Sequence, residues 1–180
     1  MAGRGRTAGA QQSSMTLSIR DARPDDVPEI LGLIKALAEY ERMPDEARAT
    51  PEQLHRALFG DPGADGPGAG VIECIMGEID GRVQGMALFF TNFSTWTGQP
   101  GIYLEDLIVR PEARGEGLGG ALLARLARIA LDRRYTRIDW LVLDWNTPAI
   151  GFYKSLGAES LDGWTIHRLS GPALQAVAAR

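Results

Sequence analysis

Apolar positions along the chain change their period several times, and each change marks an element. Leu17 and Ile19 alternate with polar neighbours and predict a first strand. Asp21 to Asp26 carries turn chemistry and a helix start, with Pro24 followed by acids in the first turn. Val27, Ile30, Leu31, Ile34, Leu37 and Ala38 then recur at helical spacing, so a helix is expected to about Tyr40, with Pro44 stopping it. Thr50-Pro51-Glu52-Gln53 reads as a capping box that opens a short helix to Phe59. Gly60 to Gly70 is dense in glycine, proline and aspartate and reads as a loop.

Val71 to Ile79, Asp80-Gly81 and Arg82 to Phe93 form the clearest hairpin pattern in the chain. Ser94 to Gly101, which holds Trp96, is a connection. Tyr103 to Val109 is the expected central strand, and a helix from Gly117 to about Leu131 buries Leu118, Ala121, Leu122, Leu126, Ile129 and Ala130. Ile138 to Leu143 reads as a further strand, parallel to the central one because a helix joins them. A short helix over Pro148 to Leu156, capped by Thr147, a last strand from Trp164 to Leu169 and a terminal helix from Pro172 complete the pattern. A meander followed by a βαβ unit predicts a mixed α/β sheet.

The stretch from Tyr103 to Gly120 concentrates the candidate chemistry. A strand leads through a polar turn, Arg110 to Ala113, into Arg114-Gly115-Glu116-Gly117-Leu118-Gly119-Gly120 and a helix start. Free N–H groups and the macrodipole at a helix N-terminus favour an anion such as phosphate, and glycines let the backbone come close to it. A dinucleotide site is one reading, with Asp144 at the end of the next strand as the ribose-binding acid. Against it, Arg110 to Arg114 separate the strand from the glycines, and the preceding segment is a meander rather than a βαβ repeat.

Bulk properties narrow the classes. A chain of 180 residues can bury a sizeable core as one domain. Net charge of −4 and a pI of about 5.2 argue against nucleic acid as a partner. No apolar run reaches membrane-span length. The single cysteine, Cys74, excludes an internal disulfide, fits a reducing, cytoplasmic setting, and is read as a buried small hydrophobe rather than a catalytic thiol. Residues 1–15 lack the apolar groups needed to order themselves and are expected to be a disordered tail. His55 and His167 are isolated, no metal-ligand spacing occurs, and no metal is expected.

Arg-Gly-Glu-Gly-Leu-Gly at 114–119 resembles the Q/R-x-x-G-x-G/A pyrophosphate loop of the GCN5-related N-acetyltransferases, the GNAT family, which bind acetyl-CoA. YLEDLIV, ARGEGLGG, DWNTPAIGFYKSLGA and LIKALAEYER, taken in order, resemble its diamine branch, the spermidine/spermine and thialysine acetyltransferases. The resemblance covers about Leu17 to Leu169. It implies a single acetyltransferase domain over 16–180, a mixed, mostly antiparallel sheet splayed between two parallel central strands, acetyl-CoA as co-substrate, a small-molecule amine as acceptor, and a homodimer.

Acetyl transfer from a thioester to an amine sets a definite chemical problem. A lysine-like amine, with a pKa near 10.4, must lose a proton before it attacks, and the departing thiolate must gain one. The resemblance places Glu105 at the position of the base and Tyr153 at that of the acid. Without it, Glu105 would be read as a strand-end carboxylate paired with an arginine, and Tyr153 as a half-buried core residue. By the same resemblance, backbone groups of Leu107, Ile108 and Val109 pair with pantetheine, Asn146 contacts its arm, and Arg114, Gly115, Glu116, Gly117, Leu118, Gly119 and Gly120 hold pyrophosphate.

For the amine, the resemblance points to Tyr40, Glu41 and Trp96, and carboxylates Glu105, Asp106 and Asp162 are further candidates. Asp106 faces away from Glu105 in a regular strand and toward the same side only if the strand bulges. Two departures bear on substrate. Ser94 stands where spermidine/spermine acetyltransferases carry an acid two residues before the tryptophan, and Trp96 is one residue further from Glu105 than in the family. A smaller amine such as thialysine, an ω-amino acid or a diamine is expected. The alternatives are acetylation of protein or peptide amines, a non-catalytic acetyl-CoA-binding module, and a dinucleotide-binding module.

Overall fold

The strands run β1 (Leu17–Asp21), β2 (Glu73–Ile79), β3 (Arg82–Ser94), β4 (Gln99–Val109) and β5 (Ile138–Trp140), side by side in that order. This computed structural model describes residues 15–61 and 70–180. The expected tail, apart from Met15, and most of the expected Gly60–Gly70 loop lie outside the described residues. By its internal contacts the chain divides into a larger unit ending at Leu141 and a second unit, Val142–Arg180.

Pairings β1–β2, β2–β3 and β3–β4 are antiparallel and β4–β5 is parallel, which gives the mixed, mostly antiparallel sheet that the sequence predicts. The β2–β3 turn has φ of +50° at Asp80 and +74° at Gly81, the left-handed pair of a tight hairpin turn whose twist matches its strands. Two boundaries differ from expectation. β4 begins at Gln99 rather than Tyr103, through Pro100 and Gly101, and β5 ends at Trp140 rather than Leu143 and lies at the sheet edge. Arg137 fixes the short parallel pair: its Nε donates to Asp139 Oδ2 at 2.7 Å and its Nη2 to Asn92 Oδ1 at 2.8 Å.

Helices cover both faces. α1 (Val27–Tyr40) and α2 (Pro51–Phe59) bury Val27, Ile30, Leu33, Leu54 and Leu58 against Cys74, Met76, Met86, Leu88 and Ile108. The capping box of α2 forms as predicted, with Gln53 N–H donating to Thr50 Oγ1 at 3.3 Å and Thr50 N–H to Gln53 Oε1 at 2.9 Å. α3 (Leu118–Asp132) buries Leu118, Leu122, Leu126 and Ile129. It lies over the opposite face, because a Cβ on Gly77 would come within 2.8 Å of Leu118, while Met76 next to it points into the α1–α2 cluster. Arg20 ties β1 to its surroundings through Asp26, at 2.6 and 2.8 Å, and Glu78, at 2.6 Å.

The second unit contains α4 (Thr147–Ser155) and α5 (Gly171–Ala178). The strand expected over Trp164–Leu169 does not form. That segment is irregular and exposed, and no strand of the sheet pairs with it. Its alternation gives a surface suited to a strand, but a strand also needs a neighbouring ladder to satisfy its backbone.

Candidate active site

The site is built around an irregularity in β4. Phe90 pairs with Tyr103, Phe89 with Leu104 and Leu88 with Asp106, so Glu105 has no partner across the ladder. It is the extra residue of a β-bulge. The bulge reverses the pleat from that point on. Tyr103 lies on the α1–α2 side, and so do Asp106 and Ile108, because their partners Leu88 and Met86 belong to the α1–α2 core cluster. Regular alternation would have sent Asp106 to the α3 side. Glu105 and Asp106 are instead neighbours, the first exposed and the second half-buried.

That half-burial changes the chemistry of Asp106. Burial, and then the negative charges of Glu105 and Glu41, push its carboxyl up to about 6. Glu41, the residue that follows α1, is itself raised by burial. Tyr103 is raised by burial and by the charges of Glu105 and Asp139. Cys74, on β2, is raised to about 12, chiefly by burial and then by Asp26 and Asp106.

Beside the bulge the sheet opens. The parallel β4–β5 pairing runs from Ile102 opposite Ile138 to Leu104 opposite Trp140 and stops there. Glu105 to Val109 continue without a β5 partner, so Leu107, Ile108 and Val109 adjoin an unfilled edge of the β4 ladder.

Below that edge the chain turns through a 3-10 segment, Pro111–Ala113, into the glycine loop. Gly115 and Gly117 have φ of +88° and +83°, values that favour glycine, and Gly117 caps α3. A Cβ at either would meet no atom, so backbone conformation is what calls for glycine there. Ala121 N–H donates to Gly117 C=O at 3.0 Å at the start of the helix, which leaves the N–H groups of Leu118, Gly119 and Gly120 in the first turn directed outward. Glu116 lies on the exposed loop with them. Outward N–H groups at a helix N-terminus can receive an anion, the geometry of a cradle.

Arg114 connects the cradle to α1. Its Nε donates to Val109 C=O at 3.1 Å, and its guanidinium carbon lies 4.7 Å from the centroid of the Tyr40 ring. Sequence reasoning placed Arg114 with phosphate and Tyr40 with the amine, and it missed this contact. Arg110 adds a second tie that had no local signature, a 2.5 Å ion pair with Glu29 of α1.

Trp96 stands apart. It is 84% exposed in the turn between β3 and β4, and the six strand positions from Gln99 to Glu105 put it about 20 Å from the bulge along the strand. In the second unit, Asn146 is the buried polar residue, and its Oδ1 accepts from Ala149 N–H at 3.3 Å. Asn146 therefore caps α4, where Thr147 was the expected cap. Tyr153 is half-buried on α4, and Asp162 is exposed. Asp144 lies in the turn before α4 instead of at a strand end, so the dinucleotide reading loses its ribose-binding acid.

Residues 32–158 match the model of the acetyltransferase (GNAT) family. A thialysine N-epsilon-acetyltransferase of Bos taurus is 38% identical over 173 residues, covering 90% of this chain and 97% of its own. Spermidine/spermine N(1)-acetyltransferase-like protein 1 of Homo sapiens is 35% identical over 90% of this chain and 24% of its own. Among solved structures, an integron cassette protein from the mobile metagenome of V. cholerae superposes with a TM-score of 0.72 at 26% identity, over 91% of this chain and 98% of that one.

Proposed function

The chain belongs to the acetyltransferase (GNAT) family, and on that premise we propose that it moves the acetyl group of acetyl-CoA to the primary amine of a small molecule, of the size of thialysine or a diamine. The observation that carries this reading is the bulge at Glu105: an exposed carboxylate beside an open strand edge and one short turn away from an anion cradle. Pyrophosphate on the cradle and pantetheine along Leu107 to Val109 would bring the thioester toward Glu105. Asn146 takes the pantetheine arm in this reading by resemblance, and its Oδ1 is held as the α4 cap.

In the reaction, Glu105 removes the proton of the ammonium, directly or through water. The freed amine attacks the thioester carbonyl, a tetrahedral intermediate forms, and the carbon–sulfur bond breaks. Tyr153 gives its proton to the departing thiolate, a phenol near 10 serving a thiol near 8.5. Tyr40, Glu41 and Asp106 contribute aromatic and anionic surface for a cation. Asp162 and Trp96 are assigned to the amine by resemblance alone. The protein acts as a homodimer in the cytoplasm in this reading, as the sequence resemblance and the single reduced cysteine imply. Among the described residues no helix is long and apolar enough to cross a membrane.

The test is thiol release from acetyl-CoA with spermidine, spermine, putrescine, thialysine, lysine and a histone-like peptide, beside the Tyr153→Phe variant. Turnover of one small amine, reduced about 10²–10⁴-fold in the variant, is expected. Turnover of the peptide alone would replace the small-molecule acceptor with a protein one. Protection by acetyl-CoA without any turnover would leave only a binding module.

A further inference from the structure

Two residues adjacent in sequence face the same side of β4 and sit at different depths. Glu105, displaced by the bulge, is exposed, while Asp106 lies opposite Leu88 at the edge of the α1–α2 core. An ammonium approaching Glu105 from solvent meets Asp106 behind it. We propose that Asp106 gates capture of the amine by its own charge: ionised, it draws the substrate ammonium down to the bulge beside Glu105, and protonated, it releases that hold. The inference rests on the amine-acetylation reading and adds a proton-controlled step to it.

The physical reasons are burial and like charge. Asp106 is removed from water on the side of Leu88, and the charges acting on it are negative: Glu105 on its own strand and Glu41 after α1. Tyr103, two residues back on β4, and Cys74 on β2 are the other titratable groups around it, and both stay neutral near pH 7 because each is raised. Arg114 is engaged with the Tyr40 ring and the Val109 carbonyl. Asp106 is thus poised to change charge near pH 6, where an ordinary aspartate is already ionised. A bound ammonium would relieve the repulsion among the carboxylates, so amine binding and deprotonation of Asp106 favour one another reciprocally.

Because the effect is on capture, it should appear in the KM for amine rather than in kcat. With saturating acetyl-CoA, the amine KM of the unmutated chain should rise about threefold between pH 8 and pH 5.5, with kcat changing less. In Asp106→Asn the amine KM should be about tenfold higher at pH 8 and nearly flat over the same range. The KM for acetyl-CoA should be unchanged. An Asp106→Asn protein that keeps the wild-type KM profile overturns the inference while leaving amine acetylation intact. Absence of turnover in the unmutated chain overturns the acetylation reading itself.

A second measurement needs neither a variant nor turnover. Carboxyl-carbon NMR of the unmutated chain should give Asp106 a midpoint near 6, moved downward by the amine that the turnover panel selects, or by putrescine if none is turned over. A midpoint in the ordinary aspartate range, or one that the amine leaves in place, overturns the inference.

Discussion

Arg114 lies against the ring of Tyr40, with its guanidinium carbon 4.7 Å from the ring centroid. The contact joins the entrance of the glycine loop to the last residue of α1, so the elements assigned to cofactor and amine share one side chain. A cation held on an aromatic face keeps its outer N–H groups available to an anion, and Arg114 donates its Nε to Val109.

Arg114→Ala should therefore act on the cofactor first. A charge-assisted contact to phosphate contributes about 1.5–3 kcal/mol, which corresponds to roughly a 10- to 150-fold rise in the KM for acetyl-CoA. The kcat should change about threefold or less. Steady-state kinetics with varied acetyl-CoA checks this. An unchanged KM would confine Arg114 to packing on Tyr40.

Asp106→Asn should stabilise the fold at neutral pH. The folded protein holds the Asp106 proton up to about pH 6, whereas an unfolded aspartate releases it near 3.9. The native state binds more protons in that window, so stability declines as pH rises through it and stays lower above it. The variant should be more stable at pH 8 by at most about 3 kcal/mol and equal to wild type below about pH 4. Urea melts at the two pH values give the comparison. A variant less stable at pH 8 would contradict the sign.

Cys74 should be inert in the native protein. The residue is 6% exposed and its thiol is raised to about 12, so almost no thiolate exists at pH 8. Ellman titration should find no fast-reacting thiol until denaturant is added. Rapid reaction in the folded state would return Cys74 to the list of chemical candidates.

Gly85 fixes how closely β3 and β4 approach. A Cβ there would lie 2.5 Å from the Ile108 carbonyl oxygen, and a backbone atom in a paired strand cannot move aside cheaply. Gly85→Ala should cost about 1–3 kcal/mol. It should also weaken activity, since Ile108 is two residues from Asp106. Denaturant midpoints and turnover test both effects, and a neutral substitution would show that the ladder has slack.

Most of the fold was legible because its signals are local. The helical period from Val27 to Tyr40, the Asp80-Gly81 turn and the Thr50–Gln53 box each carry their own geometry. The glycine loop was legible for the same reason, since Gly115 and Gly117 occupy backbone conformations that other residues avoid. What escaped depends on a partner. Pairing of Pro100 with Phe93 and Gly101 with Asn92 extends β4 through residues that look like breakers. Trp164 to Leu169 alternates as a strand does but has no ladder to join. Asn146 and Thr147 are both capping residues, and only the geometry of the turn selects Asn146. The bulge was foreseen as a condition, because register belongs to two strands and cannot be read from one.

Glu105 is the one residue between Leu104 and Asp106 for which β3 offers no counterpart. Delete it and the pairings on either side would become consecutive, giving a regular ladder that has lost its exposed carboxylate. The proposed base is in effect an insertion of a single residue, accommodated by a kink rather than by a loop. Shortening the strand would be the simplest route from this architecture to an inert one, and lengthening a regular strand by one residue the simplest route back.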